Sequence, residues 1–340
     1  SKEDFNSIDS LSSKLKKCDF LIHLAGINRH SDKNYIYNEN IDLVNKLVDA
    51  LSLSNSSIKI IFASSFQEKN DSEYGRAKLK CRKILEKWVE TSNSEIVSVI
   101  IPNVFGPFCR PNYNSFIATF CYQIINDENP NVIKDNIIKL IFVLDLVQVF
   151  KNILMDFDEF EKVLFIKDTF QISVSDTLEV LKDFNNKYGK CHIIPELKNS
   201  FFKNLFLTYH SYLTMGQKLK NNILKIEDQR GYFCEVYKSF SETQVSFSVT
   251  KPGVTRGDHY HTRKIERFVI LKGSASIKLR KIGTNEILEH KINGNEPKFI
   301  DMPVWYTHNI TNIGEEDLIT LFCIDSHYQD DTPDTFFEKV

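Results

Sequence analysis

Residues 253–273 read GVTRGDHYHTRKIERFVILKG. After Gly253 come five residues, then His259-Tyr260-His261, four more residues, Glu266, six residues and Gly273. Residues two apart in a strand face the same side, so His259 and His261 can point together into an interior. Glu266 follows a turn on the next strand, and residues 303–312 (PVWYTHNITN) supply His308 from a later hairpin. Three imidazoles and a carboxylate suit a divalent metal such as Zn, Fe, Mn or Ni. Such a metal can take part in chemistry or simply staple the strands. The bland alternative is a set of surface or core-satisfied histidines.

Around this stretch the chain consists of short alternating runs at residues 245–250, 268–271, 275–279, 298–302 and 318–324. Gly253, Gly257, Gly273, Gly283, Gly294 and Gly314 punctuate them. Short strands with frequent turns predict a β-sandwich or barrel. This texture begins after about residue 217, and residues 218–222 (KLKNN) read as a polar link. The expected division is therefore residues 1–217 and 222–340. Two domains also suit a chain of 340 residues, too long for one ordinary core.

Before the link, apolar runs alternate with amphipathic helices. Residues 19–26 (DFLIHLAG) suit a strand buried on both faces. Ile41, Val44, Leu47, Val48 and Leu51 mark one helical face over residues 40–51. Residues 58–63 (IKIIFA) form a second buried strand that stops at Ser64-Ser65. Residues 74–90 form a helix, and residues 96–101 (IVSVII) a third strand ending at Pro102. This order predicts an α/β domain with a parallel, doubly wound sheet ahead of an all-β domain.

Net charge is -2 and gives no electrostatic case for nucleic acid as a partner. Seven cysteines without a CxxC pair read as reduced thiols, which points to the cytoplasm. The most apolar stretch, residues 137–150, is broken by Lys139, Asp145 and Gln148. A bilayer needs about 20 mostly apolar residues, so no membrane insertion is expected. No signal peptide is recognised.

A second constellation comprises Ser65, Tyr74 and Lys78. Tyr74 and Lys78 are four apart at a helix start and share one face. An ammonium beside a phenol favours the phenolate and is expected to pull the tyrosine pKa down from about 10. Tyr74 would then serve as a general acid for a carbonyl or alkoxide. Ser65 ends a strand, where open α/β sheets place ligands. YxxxK alone also fits a surface Tyr beside a solvated Lys.

The series HLAG (residues 23–26), Ser64-Ser65, YGRAK (residues 74–78) and PNVFG (residues 102–106) resembles the extended short-chain dehydrogenase/reductase family. The resemblance implies a Rossmann-like fold and a nicotinamide cofactor. It makes Ser65 the residue that orients the substrate oxygen, Tyr74 the acid/base, and Lys78 a holder of the nicotinamide ribose. It places Ala25 and Gly26 along the cofactor and Asn103 near nicotinamide or substrate. It puts Arg110, Asn112 and Asn114, within residues 110–115 (RPNYNS), on the nucleotide-sugar. That family opens with a strand and a glycine-rich turn that nothing here matches. The expectation is an N-terminally truncated domain, short of roughly the first fifty residues, that binds NADPH poorly as it stands. The family's Val-Asp-Asp near the end of the domain becomes Val143-Leu144-Asp145.

Residues 253–273 resemble the first cupin motif in full. Residues 303–312 resemble the second, with Trp305 in place of a glycine. This resemblance implies a cupin barrel that binds a metal, zinc foremost, through His259, His261, Glu266 and His308. The whole chain, in this order, is similar to the CapF-like family of bifunctional capsular-polysaccharide enzymes. Residues 110–122 (RPNYNSFIATFCY), 228–233 (DQRGYF), 251–261 (KPGVTRGDHYH) and 302–310 (MPVWYTHNI) carry that likeness. It implies C3 epimerisation of a UDP-4-keto-2-acetamido-2,6-dideoxyhexose in the cupin. NADPH-dependent C4 reduction in the first domain would follow, towards UDP-N-acetyl-L-fucosamine. It also implies a cytoplasmic homodimer acting on a UDP-sugar. Lys251, His261 and Tyr306 are candidate bases. The alternatives are a single-activity reductase or epimerase with a scaffolding cupin, and a non-catalytic remnant.

Overall fold

The computed structural model describes residues 5–328 and 331–340. Up to Leu181, helix and strand alternate: α1 (Ile8–Leu15), β1 (Phe20–His23), α2 (Lys33–Ser54), β2 (Lys59–Ser65), α3 (Glu73–Val89), β3 (Glu95–Ile101), β4 (Asn103–Phe105), α4 (Phe116–Ile125), β5 (Ile137–Phe142), α5 (Val143–Met155), β6 (Val163–Phe165), β7 (Phe170–Ser173) and the start of α6 (Val174–Phe184). Four strands pair in parallel in the order β1-β2-β3-β6. Period-two alternation gives β2 two faces. Ile60 and Phe62 join Val44, Leu47 and Leu51 of α2 and Leu85 of α3 in one core. Ile61 joins Val97, Val99 and Ile153 of α5 in another. The sheet is covered on both sides, as its continuous apolar strands require.

β1 departs from the expected two-sided burial. Phe20 and Ile22 are each 38% exposed, because among the described residues β1 pairs along one edge only, with β2. β4, β5 and β7 form a separate three-stranded sheet. The apolar run over residues 137–150 supplies β5 and the first turns of α5. No helix among the described residues is long and apolar enough to cross a membrane. The Ser72 hydroxyl accepts from the Gly75 N–H at 3.1 Å and starts α3. That cap fixes the turn from which Tyr74 and Lys78 project.

The chain folds as two compact units, and the second takes Lys182–Lys198 as well as everything from Leu213 onward. The intervening α7 (Ser200–Ser211) belongs to the first unit. The division expected at residues 217–222 thus differs by one excursion. Its cause is β8 (Ile193–Ile194), which pairs with Lys238 and Ser239 in the second unit. Two residues are too few to show a strand period in the sequence.

The rest of the second unit is antiparallel: β9 (Lys225–Asp228), β10 (Gly231–Ser239), β11 (Gln244–Thr250), β12 (Thr255–Tyr260), β13 (Glu266–Lys272), β14 (Ser274–Lys281), β15 (Ile287–Asn293), β16 (Phe299–Met302), β17 (Tyr306–Asn312), β18 (Leu318–Ile324) and β19 (Phe336–Phe337). One sheet runs β16-β13-β18-β11-β10-β8 with β9 also on β10; the other runs β15-β14-β17-β12-β19. Phe268, Ile270 and Phe322 of the first share a core with Ile277, Leu279 and Ile310 of the second. The inner faces of the two sheets therefore meet.

A bulge in β12 bears on the site. Arg256 pairs with Ile310, Gly257 with Asn309 and His259 with His308, so Asp258 is the extra residue. His308 and Ile310 are two apart and share a face, so Arg256 and His259 share one as well. Gly257 has φ 100°, and a Cβ there would come 2.7 Å from the His308 carbonyl oxygen. Only glycine lets the two strands approach this closely.

Candidate functional site

His259, His261, Glu266 and His308 converge, with one ligand atom from each within 4.8 Å of the others. β12 delivers His259, with His261 just past its end; β13 begins at Glu266, and β17 carries His308. Glu266 Oε2 lies 3.1 Å from His308 Nε2 and 3.3 Å from His261 Nε2. His261, Glu266 and His308 are buried. His261 Nδ1 faces the Asp334 carbonyl at 2.5 Å, and His308 Nδ1 faces the Tyr306 carbonyl at 3.1 Å. A carbonyl can only accept, so both Nδ1 atoms carry hydrogen, and in the neutral rings each Nε2 offers a lone pair to the cluster.

Among the described residues, His261 Nε2 is buried without a well-formed hydrogen bond, despite its approach to Glu266. A buried nitrogen lacking a partner, beside a carboxylate and two further imidazoles, fits a divalent cation as that partner. Burial works against the charge of Glu266, but in the metal-free cluster His261 and His308, when protonated, outweigh it and hold the carboxyl below the usual carboxylate range. Burial likewise opposes the charge of His261, and Glu266 more than compensates, so its pKa is raised. Burial, together with His308, pushes His259 down to about 4. Trp305 stands where the motif has glycine. Its φ of 64° is left-handed, which is why glycine suits the position. Its N–H donates to the His261 carbonyl at 2.8 Å, and its ring stacks on Tyr260 at 5.8 Å. These contacts offset the strain.

The cluster opens on a cavity of about 380 Å³, lined by His259, His261 and Glu266 together with Arg256, Lys264 and Gln244. Of the candidate bases, His261 lines it. Lys251 is exposed and Tyr306 packs against the apolar core, and neither reaches the cavity wall. Sequence reasoning missed Lys264. It is buried, donates to the Pro333 carbonyl and stands 5.6 Å over the Tyr328 ring. No strand period marks it, because it lies in the turn before β13 begins at Glu266.

In the first unit, Ser65 ends β2 and caps a short turn, its Oγ accepting from the Gln67 N–H at 3.2 Å. Lys78 is buried, donates to the Ala63 carbonyl at 3.0 Å and stands 5.9 Å over the Tyr74 ring. The expected lowering of the Tyr74 pKa is not found. Burial raises it, and burial lowers the pKa of Lys78. The ammonium gives its hydrogen bond to a carbonyl and faces the ring, so desolvation wins. Gly26 lies against this group: a Cβ there would come 2.8 Å from Asn40 Oδ1 and 3.2 Å from Lys78 Nζ. Ala25, beside it, is half-buried.

Asn40 was also missed. Its Oδ1 accepts from the Ile27 N–H at 3.0 Å, and its Nδ2 donates to the carbonyls of Ile27 and Ile36, both at 2.6 Å. It clamps the loop after β1. The signal was an asparagine on the apolar face of α2, four residues before Val44. Asn103 is exposed and donates to the Lys139 carbonyl at 3.5 Å. Asn112 and Asn114 line a cavity of about 460 Å³ with Arg29 and Lys134. Arg29 donates to the carbonyls of Asn112 and Tyr113, which ties the loop after β1 to residues 110–115. Arg110 lies outside that lining and stands 5.6 Å over the Tyr113 ring.

Comparison with known proteins matches both halves. The sequence profile of the NAD dependent epimerase/dehydratase family covers residues 3–166, and that of the polysaccharide biosynthesis C-terminal domain covers residues 226–336. The UDP-2-acetamido-2,6-beta-L-arabino-hexul-4-ose reductase of Pseudomonas aeruginosa is 31% identical over 332 residues, 97% of this chain and 89% of that protein. The crystal structure of the capsular polysaccharide assembling protein CapF of Staphylococcus aureus is 33% identical with a TM-score of 0.85, over 97% of this chain and 89% of that one. A UDP-N-acetylglucosamine 4-epimerase of Methanobrevibacter ruminantium, with 22% identity and a TM-score of 0.53 over 63% of this chain and 83% of that one, shares the fold alone. Matched along nearly their full length by its two more similar relatives, the chain belongs to the CapF-like family of capsular-polysaccharide proteins.

Proposed function

We propose that the chain is a bifunctional nucleotide-sugar enzyme. Its family places it among the epimerases and reductases of capsular-polysaccharide biosynthesis. The second unit, read as a cupin barrel, epimerises C3 of a UDP-4-keto-2-acetamido-2,6-dideoxyhexose. The first, read as a Rossmann-like reductase domain, then reduces C4 with NADPH towards UDP-N-acetyl-L-fucosamine. The enzyme acts as a cytoplasmic homodimer. The carrying observation is the four-ligand cluster opening on a cavity that also holds Arg256, Lys264 and Gln244, on the same chain as Ser65, Tyr74 and Lys78.

The chemistry orders the two steps. A C4 ketone acidifies the C3 proton, because removing it leaves an enolate. Return of the proton to the other face inverts C3. His259, His261, Glu266 and His308 would hold a divalent metal, zinc foremost, which supplies Lewis acidity for the enolate oxygen. A ligand role takes His261 out of consideration as base, leaving Lys264, Tyr328 and Glu235 as acid–base groups on the cavity wall. Reduction removes the ketone and freezes the new configuration. Ala25 and Gly26 would hold NADPH, which would supply the hydride. Tyr74 gives its proton to the C4 oxygen, Ser65 hydrogen-bonds the same oxygen and Lys78 holds the ribose. The raised Tyr74 pKa keeps the phenol protonated, the form a reduction needs. Asn103, Arg110, Asn112 and Asn114 contact the substrate.

The test is incubation of a reductase-competent chain with the 4-keto sugar and NADPH. One NADPH oxidised per sugar, with C3 inverted in the product by NMR, is expected. Oxidation without inversion would leave a single-activity reductase.

A further inference from the structure

Ser248 Oγ, Ser326 Oγ, Arg256 Nη2 and His261 Nε2 are buried without a hydrogen-bond partner among the described residues, and all four residues line one cavity. His261 is accounted for by the cation. The other three residues line the same cavity, and these polar atoms have no hydrogen-bond partner among the described residues. The Arg256 side chain is 14% exposed. Its Nε donates to Thr250 Oγ1 at 3.0 Å, and Asp228 Oδ1 lies 3.7 Å from Nη2. Asp228 is engaged by Arg230 at 2.9 and 2.6 Å and is itself 43% exposed. One carboxylate is therefore shared by two guanidiniums, and Arg230 also lines the cavity. Two carboxylates line the cavity: Glu266 belongs to the cluster, and Glu235 is occupied by Lys238 at 2.6 Å and Gln244 at 3.1 Å.

We propose that Arg256 is the anchor for the anionic diphosphate of a nucleotide-sugar in this cavity, and so sets which sugar carbon faces the cluster. The inference rests on reading the cavity as a nucleotide-sugar site. A guanidinium largely withdrawn from water with loose carboxylate pairing is costly unless an anion completes it. Its planar fork matches phosphate oxygens. The bulge places Arg256 two register steps from His259 on the same face. That is about 7 Å along the sheet, a span that a hexose ring carrying an anomeric phosphate bridges. The Ser248 and Ser326 hydroxyls are then left for the ring substituents. Arg256 is a binding and positioning residue, distinct from the ligands and the groups that move protons.

The experiment uses the full zinc-loaded chain, with C3 deuterium uptake in D₂O without NADPH as the readout and UDP as competitive inhibitor. Arg256→Gln should raise both KM and the UDP inhibition constant about 10- to 100-fold, the loss of a charge-assisted contact. The turnover rate should stay within about threefold. Arg256→Lys should fall between, because it keeps charge and loses the fork. If Arg256→Gln fails to fold or to load zinc, Arg256→Lys against wild type decides. Wild-type KM and UDP inhibition in the variants would overturn the proposal and leave Arg256 a structural partner of Asp228. A fall in turnover with KM unchanged would also overturn it, moving Arg256 to the reacting oxygen. If the wild-type chain takes up no deuterium, the epimerase reading fails. Calorimetry with UDP then decides the anchor: a site lost in Arg256→Gln supports it, and superimposable isotherms sink it.

Discussion

Replacing His308 tests the metal centre most sharply, because two substitutions separate ligation from folding. His308→Gln keeps a polar side chain of similar length; His308→Ala empties a site that is 1% exposed. Four-ligand structural zinc sites are worth about 10–16 kcal/mol, so an even share for one ligand is about 2.5–4 kcal/mol. Either variant should bind zinc about 10²–10³-fold more weakly. The metal-free costs differ. His308→Ala loses the 3.1 Å contact with Glu266, a charge-assisted bond worth about 1.5–3 kcal/mol. It also loses the edge-to-face contact with Phe268 at 5.7 Å, worth about 0.5–1.5 kcal/mol. His308→Gln can still donate to Glu266 and should lose less. The assay is chelator competition with elemental analysis on the full chain, paired with melting in excess chelator. Wild-type zinc affinity in His308→Gln would refute the ligand assignment, as would a wild-type chain that retains no divalent metal after reconstitution.

Three further outcomes follow from the first unit. Gly26→Ala should raise the KM for NADPH at least several-fold without unfolding the chain, because the added Cβ meets Asn40 and Lys78 at 2.8 and 3.2 Å; steady-state kinetics in a reductase-competent chain checks it. Asn40→Leu should destabilise the unit by about 2–5 kcal/mol by stripping partners from both backbone groups of Ile27, read by thermal melting. His23 should titrate near pH 4 by NMR, since burial, then Lys78, pushes it down to about 4. The unfolded imidazole binds its proton near 6.5, so His23 withdraws stability as pH falls from about 6.5 through 4.

Much of this was legible in the sequence, for local reasons. β2 and β3 are buried on both faces and read as unbroken apolar runs; β18 was delimited at both ends by its alternation. The clustering of His259, His261 and Glu266 was visible because they lie within eight residues. The start of α2 at Lys33 was missed, since its first turns are polar and show no apolar period. The Tyr74 pKa was read in the wrong direction, because a four-residue spacing brings Lys78 close without saying where its ammonium points. Arg256, Ser248 and Lys264 were invisible as a group. They come from separate segments and meet only through strand register and the bulge at Asp258.

The central claim is that two separable chemistries act in sequence on one sugar. Tyr74→Phe in a reductase-competent, zinc-loaded chain, given the 4-keto sugar in D₂O, tests it most directly. The missing phenol proton should slow NADPH oxidation by about 10²–10⁴-fold. Deuterium should still enter C3 at the wild-type rate, because that exchange uses the second unit. Loss of both activities together, or NADPH oxidation at the wild-type rate, would contradict the account.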